Sequence, residues 1–215
     1  MKYIIFDMDG VIVNSEPIIM KAALDALAYG GVAADKSDFM QFIGAGEEHF
    51  IIFPCRRAGR EDLIEPLTEQ MFLNFESSLD ELEVFPSAKP LIEGLKEAGF
   101  TLGLVSSAAR RKLMASLNAA QIDPSSFDAI LSGSDVTEKK PSPAPYLLGA
   151  ERLGADPSQC LVIEDALSGV KSAKSAGMTC AAVTTSFSAE ELKEAGADYV
   201  VDDIIEVLKI VSEGQ

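Results

Sequence analysis

YIIFDMDGVIVNSEP, residues 3–17, decides how the rest of the chain is read. Tyr3-Ile4-Ile5-Phe6 is a short, continuously apolar run of the kind that forms a buried strand, and it ends on Asp7 and Asp9, two acids separated by one residue and followed by Gly10. If the strand continued, both carboxylates would point the same way, but the glycine marks a bend just there. Carboxylates about 4 Å apart repel by roughly 4 kcal/mol at an effective dielectric near 20. Ionised acids placed together at a strand end therefore require a cation or a shared proton.

Working outward, the chain from about residue 84 alternates short apolar runs with helical patterns of about ten residues, the signature of β-α units on a parallel sheet. SAKPLIEGLKEAG has Leu91, Ile92 and Leu95 on one helical face with Gly99 as a stop, and FTLGLVSS follows as a strand. The cycle recurs through strands at FDAILSG, CLVIED, TCAAVTT and DYVVDD. The intervening helices include APYLLGAERLG, capped by Gly154, and SAEELKEAG, with Ser188 at its N-cap. Residues 16–80 read differently. Helical patterns dominate there, in EPIIMKAALDALAYGG, KSDFMQFIGAG and GREDLIEPLTEQMFLNFESSL, and no strand interrupts them. The fold class is α/β, a parallel sheet carrying an α-helical insertion after its first strand.

The 215 residues can bury a sizeable core. The formal charge of -16 repels a polyanion, which argues against nucleic acid, and any phosphate-bearing ligand must be held by local positive groups. Cys55, Cys160 and Cys180 are odd in number and far apart, so no disulfide framework is expected and a reducing cytoplasm fits best. No apolar run approaches the roughly 20 residues of a membrane span, and the first acids come too early for a secretory leader. The expectation is a soluble cytoplasmic protein, a monomer by default.

Three strands end in polar residues where a structural strand would simply turn: Asp7-Met8-Asp9 after Phe6, Ser106-Ser107 after Val105, and Glu164-Asp165 after Ile163. Ligands of open parallel sheets bind outside the carboxyl ends of the strands, so these ends are candidates for one site. Clustered acids suit Mg²⁺, with Lys139 or Lys140 completing the charge balance. Taken singly, each has a plainer reading: an Asx turn at Asp7–Gly10, helix caps at Ser106-Ser107 and Glu164-Asp165, and a solvated Lys140. The joint order of acid pair, hydroxyl, lysine and acid pair is what favours a site. His49 is the only histidine, no G-x-S-x-G elbow exists, and zinc ligands are lacking, so triad and zinc chemistries have no support.

The segments DMDGVIVNSEP, LVSS, KKPSPAPY and VIEDALSGVKSAKSAG resemble the four motifs of the haloacid dehalogenase superfamily of phosphohydrolases, in family order across nearly the whole chain. The insertion corresponds to the small helical cap of the subgroup that includes β-phosphoglucomutase and many sugar-phosphate phosphatases. The resemblance implies a Rossmann-like, doubly wound core formed by residues 1–14 and 83–215, with an all-α cap at 15–82. It implies Asp7 as the nucleophile that forms an aspartyl-phosphate, Asp9 as acid and base, and Ser106 and Lys140 as holders of phosphoryl oxygens. Mg²⁺ would be bound by the Asp7 carboxylate, the Asp9 backbone carbonyl, Asp165 and Glu164, the last directly or through water.

The acid at Asp9 argues against carbon–halogen cleavage, because the dehalogenating members lack it. Ile19 stands where the mutases carry a hinge histidine, Asn14-Ser15 replaces their usual pair before the cap, and no lysine or asparagine stands three or four residues after Ser106. Arg110 is the candidate replacement there. The expected activity is a Mg²⁺-dependent phosphatase for a small phosphorylated metabolite, a sugar phosphate above all. A hexose phosphomutase is the alternative, and a receiver-type phospho-acceptor domain a more distant one. Cap residues expected to reach the substrate lie in FIGAGEEHF, residues 42–50, with Gly46, Glu47 and His49, and in CRRAGR, residues 55–60; in the core Ser107 joins them.

Overall fold

A computed structural model of the chain describes residues 2–42 and 46–213. Eight strands lie among them: β1 (Tyr3–Phe6), β2 (Val13–Asn14), β3 (Glu83–Val84), β4 (Thr101–Val105), β5 (Ala129–Leu131), β6 (Cys160–Glu164), β7 (Thr179–Val183) and β8 (Tyr199–Val201). Six form one parallel sheet in the order β5-β4-β1-β6-β7-β8. β1 is therefore the strand from which the chain winds first one way and then the other, and it pairs with β4 and β6 in the registers Phe6↔Leu104 and Phe6↔Ile163. Its apolar run is explained by that position. Ile4, Ile5 and Phe6 are completely buried because helices cover both faces of the sheet.

The helices are α1 (Glu16–Tyr29), α2 (His49–Arg57), α3 (Ile64–Ser77), α4 (Ala88–Glu97), α5 (Arg110–Ala119), α6 (Ala144–Leu153), α7 (Leu167–Ser175), α8 (Ala189–Glu194) and α9 (Val207–Glu213). Residues of β1, β4, α4 and α5 pack into one core on one face of the sheet, and residues of α6, α7 and β7 into another on the opposite face. Gly154 ends α6 in the left-handed conformation, at φ 64°, and Ser188 caps α8 through a capping box closed by Glu191. Both termini are as the sequence predicts.

A third core belongs to the inserted segment, where Ile19, Ala23 and Leu27 of α1 meet Ile51 of α2 and Met71 and Phe75 of α3. Three features of this segment differ from the expectation. KSDFMQFIGAG is not one helix: it forms two 3₁₀ turns, at Lys36–Asp38 and Met40–Phe42, and its residues 43–45 lie outside the described ones. α2 carries Pro54 in its interior, a residue that removes a backbone donor and hides the helix from a periodicity reading. The third lies just outside residues 16–80, within which the described residues hold no strand. β2 and β3 pair antiparallel, Val13↔Val84 and Asn14↔Glu83, and form a ribbon where the chain leaves and re-enters the sheet domain. Cys55, Cys160 and Cys180 are free and buried. No helix among the described residues is long and apolar enough to cross a membrane.

Candidate active site

The carboxyl ends of β1, β4 and β6, the three central strands, deliver Asp7, Ser106 and Glu164 to one place. The Asp7 backbone N–H donates to the Ile163 carbonyl at 2.9 Å, and that of Ser106 to Leu131 at 3.0 Å, so sheet hydrogen bonding carries on past the last strand residues. Lys140 comes from the loop before α6. Its Nζ donates to Asp7 Oδ1 and, at 2.7 Å, to Glu164 Oε1, while the Tyr146 ring lies beneath it at 4.7 Å from the centroid. Glu164 is held at four points: by Lys140, by the Tyr146 hydroxyl at 2.7 Å, and by the backbone N–H groups of Asp165 and Ala166. Its role as a brace for the turn into α7 is thus real, and it coexists with a place in the acid cluster.

Asp7, Glu164 and Asp165 bring carboxylate oxygens within 4.8 Å of one another, all three buried. Three carboxylates face one ammonium. Burial pushes Asp7 up to about 7 although Lys140 pulls it down, and burial followed by the charges of Glu164 and Asp7 pushes Asp165 well up. Burial alone would lower Lys140, but Asp7 and Glu164 outweigh it and hold the ammonium charged. The cluster is short of positive charge by the amount a divalent cation supplies.

The surrounding backbone makes room for it. Gly10 has φ 79°, and a Cβ there would fall 1.9 Å from Asp165 Oδ2; a Cβ at Gly169 would fall 1.7 Å from Glu164 Oε1. Hard oxygen donors in a buried cluster short of positive charge are the set that suits Mg²⁺. The residues present fit that ion.

Asp9 is treated differently from Asp7. The bend at Gly10 turns its carboxylate away, so that Oδ1 accepts from the Ser15 hydroxyl and Oδ2 from Lys112 Nζ at 2.7 Å. Lys112, in the first turn of α5, is 4% exposed. Glu47 also comes to this helix: its Oε1 accepts from the backbone N–H of Ala109 at 2.9 Å, and its buried carboxyl is raised by desolvation against the pull of Lys112. An acid of the inserted segment is therefore bonded to the sheet domain beside Asp9.

A cavity of about 660 Å³ opens over these groups, lined by Asp7, Asp9, Ser106, Ser107, Lys140 and Asp165 on one side and by Asn14, Glu16, Met40 and Glu83 on another. Gly46 and Glu47 border two smaller crevices, of about 110 and 50 Å³, and His49 the first of these; Ser107 borders both. His49 is stacked on Phe42 at 5.1 Å. Arg110 is exposed and lines none of these spaces, and its nearest charged influence is on Asp135. The cation that stands beside the site from α5 is Lys112 instead. Sequence reasoning missed Lys112, Tyr146, Ser186, whose hydroxyl donates to Asp165, and Gly169. One signal was available for Lys112. Three cations in succession, Arg110, Arg111 and Lys112, open a helix whose N-terminus favours acids, which implies carboxylate partners elsewhere.

Comparison with known proteins agrees with this geometry. Residues 4–183 match the sequence model of the haloacid dehalogenase-like hydrolases. The protein SUPPRESSOR OF QUENCHING 1, chloroplastic, of Arabidopsis thaliana is 38% identical over 94% of this chain, and the chain spans 19% of that relative's length. A phosphorylated carbohydrates phosphatase of Thermotoga maritima is 29% identical over 98% of this chain and 100% of its own. Among solved structures, a predicted phosphoglycolate phosphatase of Haemophilus somnus superposes with a TM-score of 0.85 at 27% identity, covering 98% of both chains.

Proposed function

The chain belongs to the haloacid dehalogenase-like hydrolases, and from that premise we propose that it is a Mg²⁺-dependent phosphatase of a small phosphorylated carbohydrate, working through an aspartyl-phosphate on Asp7. The observation that carries this reading is the division of labour between two acids two residues apart. Asp7 is buried, pinned by Lys140 and set in the carboxylate cluster, whereas Asp9 is turned aside on Lys112 and Ser15 with its side chain still 26% exposed. A nucleophile needs the first environment, and a group that exchanges protons with substrate and water needs the second.

Asp7 attacks phosphorus in line as the ester P–O bond breaks, and Asp9 delivers its proton to the departing alkoxide oxygen. Asp9 then takes a proton from a water whose oxygen attacks phosphorus, which releases phosphate and restores the Asp7 carboxylate. Lys140 and the Ser106 and Ser107 region hold phosphoryl oxygens, and the segment 15–82, acting as a cap, keeps bulk water from the phosphoenzyme. Mg²⁺ would be held by Asp7, the Asp9 backbone carbonyl, Asp165 and Glu164. When bound it neutralises the acids and the phosphoryl charge. Carbohydrate as the substrate class is supported by the name of the Thermotoga maritima relative. The mutase alternative lacks its hinge group, since Ile19 is packed in the core of the inserted segment.

The test is inorganic phosphate release from a panel of sugar, polyol and nucleotide monophosphates with Mg²⁺ or with chelator. Release that needs the metal and disappears in Asp7→Asn is the expected result. Undiminished release in that variant would end the reading.

A further inference from the structure

Beyond the phosphate end, the charged side chains of the cavity lining are the acids Glu16 and Glu83. The lining there includes Asn14, Glu16, Glu83, Met40, Phe85 and Phe187. Asn14 Nδ2 gives one hydrogen to Glu83 Oε2 at 2.8 Å and keeps the other, beside its own carbonyl and the two carboxylates. The hydroxyls of Thr185 and Ser186 are spent on the Gly10 carbonyl and on Asp165, and the lining also holds the hydroxyl of Ser168. Among the described residues Lys140 is the one basic side chain in the lining, and the residues outside that description carry no lysine or arginine. Of the neighbouring lysines, Lys112 is paired with Asp9, and Lys139, bonded to the Gly133 carbonyl, borders the smaller crevice rather than this cavity.

Resting on the phosphatase reading for the position of the phosphate, we infer that the substrate is a monophosphate whose remainder is a neutral or amine-bearing polyol. Glu16 and Glu83 accept its hydroxyl or ammonium hydrogens and exclude a second anionic group, whether carboxylate or phosphate. The apolar walls from Met40, Phe85 and Phe187 suit the C–H surface of a sugar. Two carboxylates at this end repel an added carboxylate or phosphate. Charges about 6 Å apart at an effective dielectric near 20 repel enough to weaken binding by more than about tenfold, even after allowance for the exposure of Glu83.

Binding separates this inference from the chemistry. Asp7→Asn protein with Mg²⁺ at pH 8 is titrated calorimetrically with aldose phosphates of five and six carbons, with the matching aldonate phosphates, and with an amino-sugar phosphate. The aldose and amino-sugar phosphates are expected to bind at least about tenfold tighter than the aldonates. That gap should close when Glu16→Gln and Glu83→Gln are added together. Equal or tighter binding of the aldonates, a gap that survives the double substitution, or no saturable binding of any compound would overturn it. Selective binding without phosphate release from the unsubstituted protein would refute the hydrolase reading and leave this one standing.

Discussion

Lys112 Nζ lies 2.7 Å from Asp9 Oδ2, a bond between residues 103 positions apart in the chain. It fixes the carboxylate proposed to manage protons, together with the Ser15 hydroxyl. In Lys112→Met the carboxylate keeps only the Ser15 hydroxyl as a tether, and kcat should fall by about ten- to hundredfold, a part of what general acid–base catalysis contributes. KM should move less than kcat, because the lysine does not line the main cavity. Lys112→Arg, which keeps the charge, should recover part of the loss. Steady-state kinetics on the three proteins checks this.

Glu47 is the corresponding contact from the inserted segment. Its bond to the Ala109 N–H joins that segment to α5 beside the crevices it borders. A buried hydrogen bond to a charged acceptor is worth about 1.5–3 kcal/mol. Glu47→Ala should therefore speed amide hydrogen exchange at Ala109 by about ten- to hundredfold, read by site-resolved exchange.

Gly169 sets how near α7 can come to Glu164. A Cβ at that position meets a carboxylate fixed by Lys140, Tyr146 and two backbone N–H groups, so the clash cannot be relieved by a simple rotation. Gly169→Ala should weaken the rise in unfolding temperature that Mg²⁺ produces. Thermal scans across a Mg²⁺ series measure it.

The acids make that rise pH-dependent. With the folded Asp7 near 7 and its ordinary value at 3.8, the folded state holds a proton that the unfolded chain has lost between those values. Stability of the metal-free protein from this group is therefore full below about pH 4 and declines as pH rises toward 7. Cation binding requires the ionised form and gains over the same interval. The increase in unfolding temperature caused by Mg²⁺ should be larger at pH 8 than at pH 5.

The parallel sheet was legible because each strand is a short apolar run followed by a helix of clear period, and the site because Asp7, Ser106, Lys140 and Glu164-Asp165 each follow such a run or lie in the loop before the next helix. What escaped notice depends on distance through space. Lys112 sits beside the apolar positions Leu113 and Leu117 and reads as surface until α5 is packed against the bend at Asp9. β2 and β3 have two residues each, too few for an alternating pattern, and pair across 69 positions at Asn14↔Glu83. α2 was masked by Pro54, and the role of Gly169 by the absence of any side chain to read. Arg110 was chosen by position after Ser106, but the first turn of α5 points it outward and Lys112 inward.

The proposed roles of Asp7, taking the phosphoryl group, and Asp9, managing the proton, come apart in Asp9→Asn protein with p-nitrophenyl phosphate, whose leaving group needs no acid. Rapid mixing should give a burst of nitrophenolate equal to the enzyme, with slow phosphate release and a phosphoryl group on the peptide that carries Asp7. Nitrophenolate and phosphate released together at one rate, or a burst that persists when Asp7→Asn is added, would contradict the account.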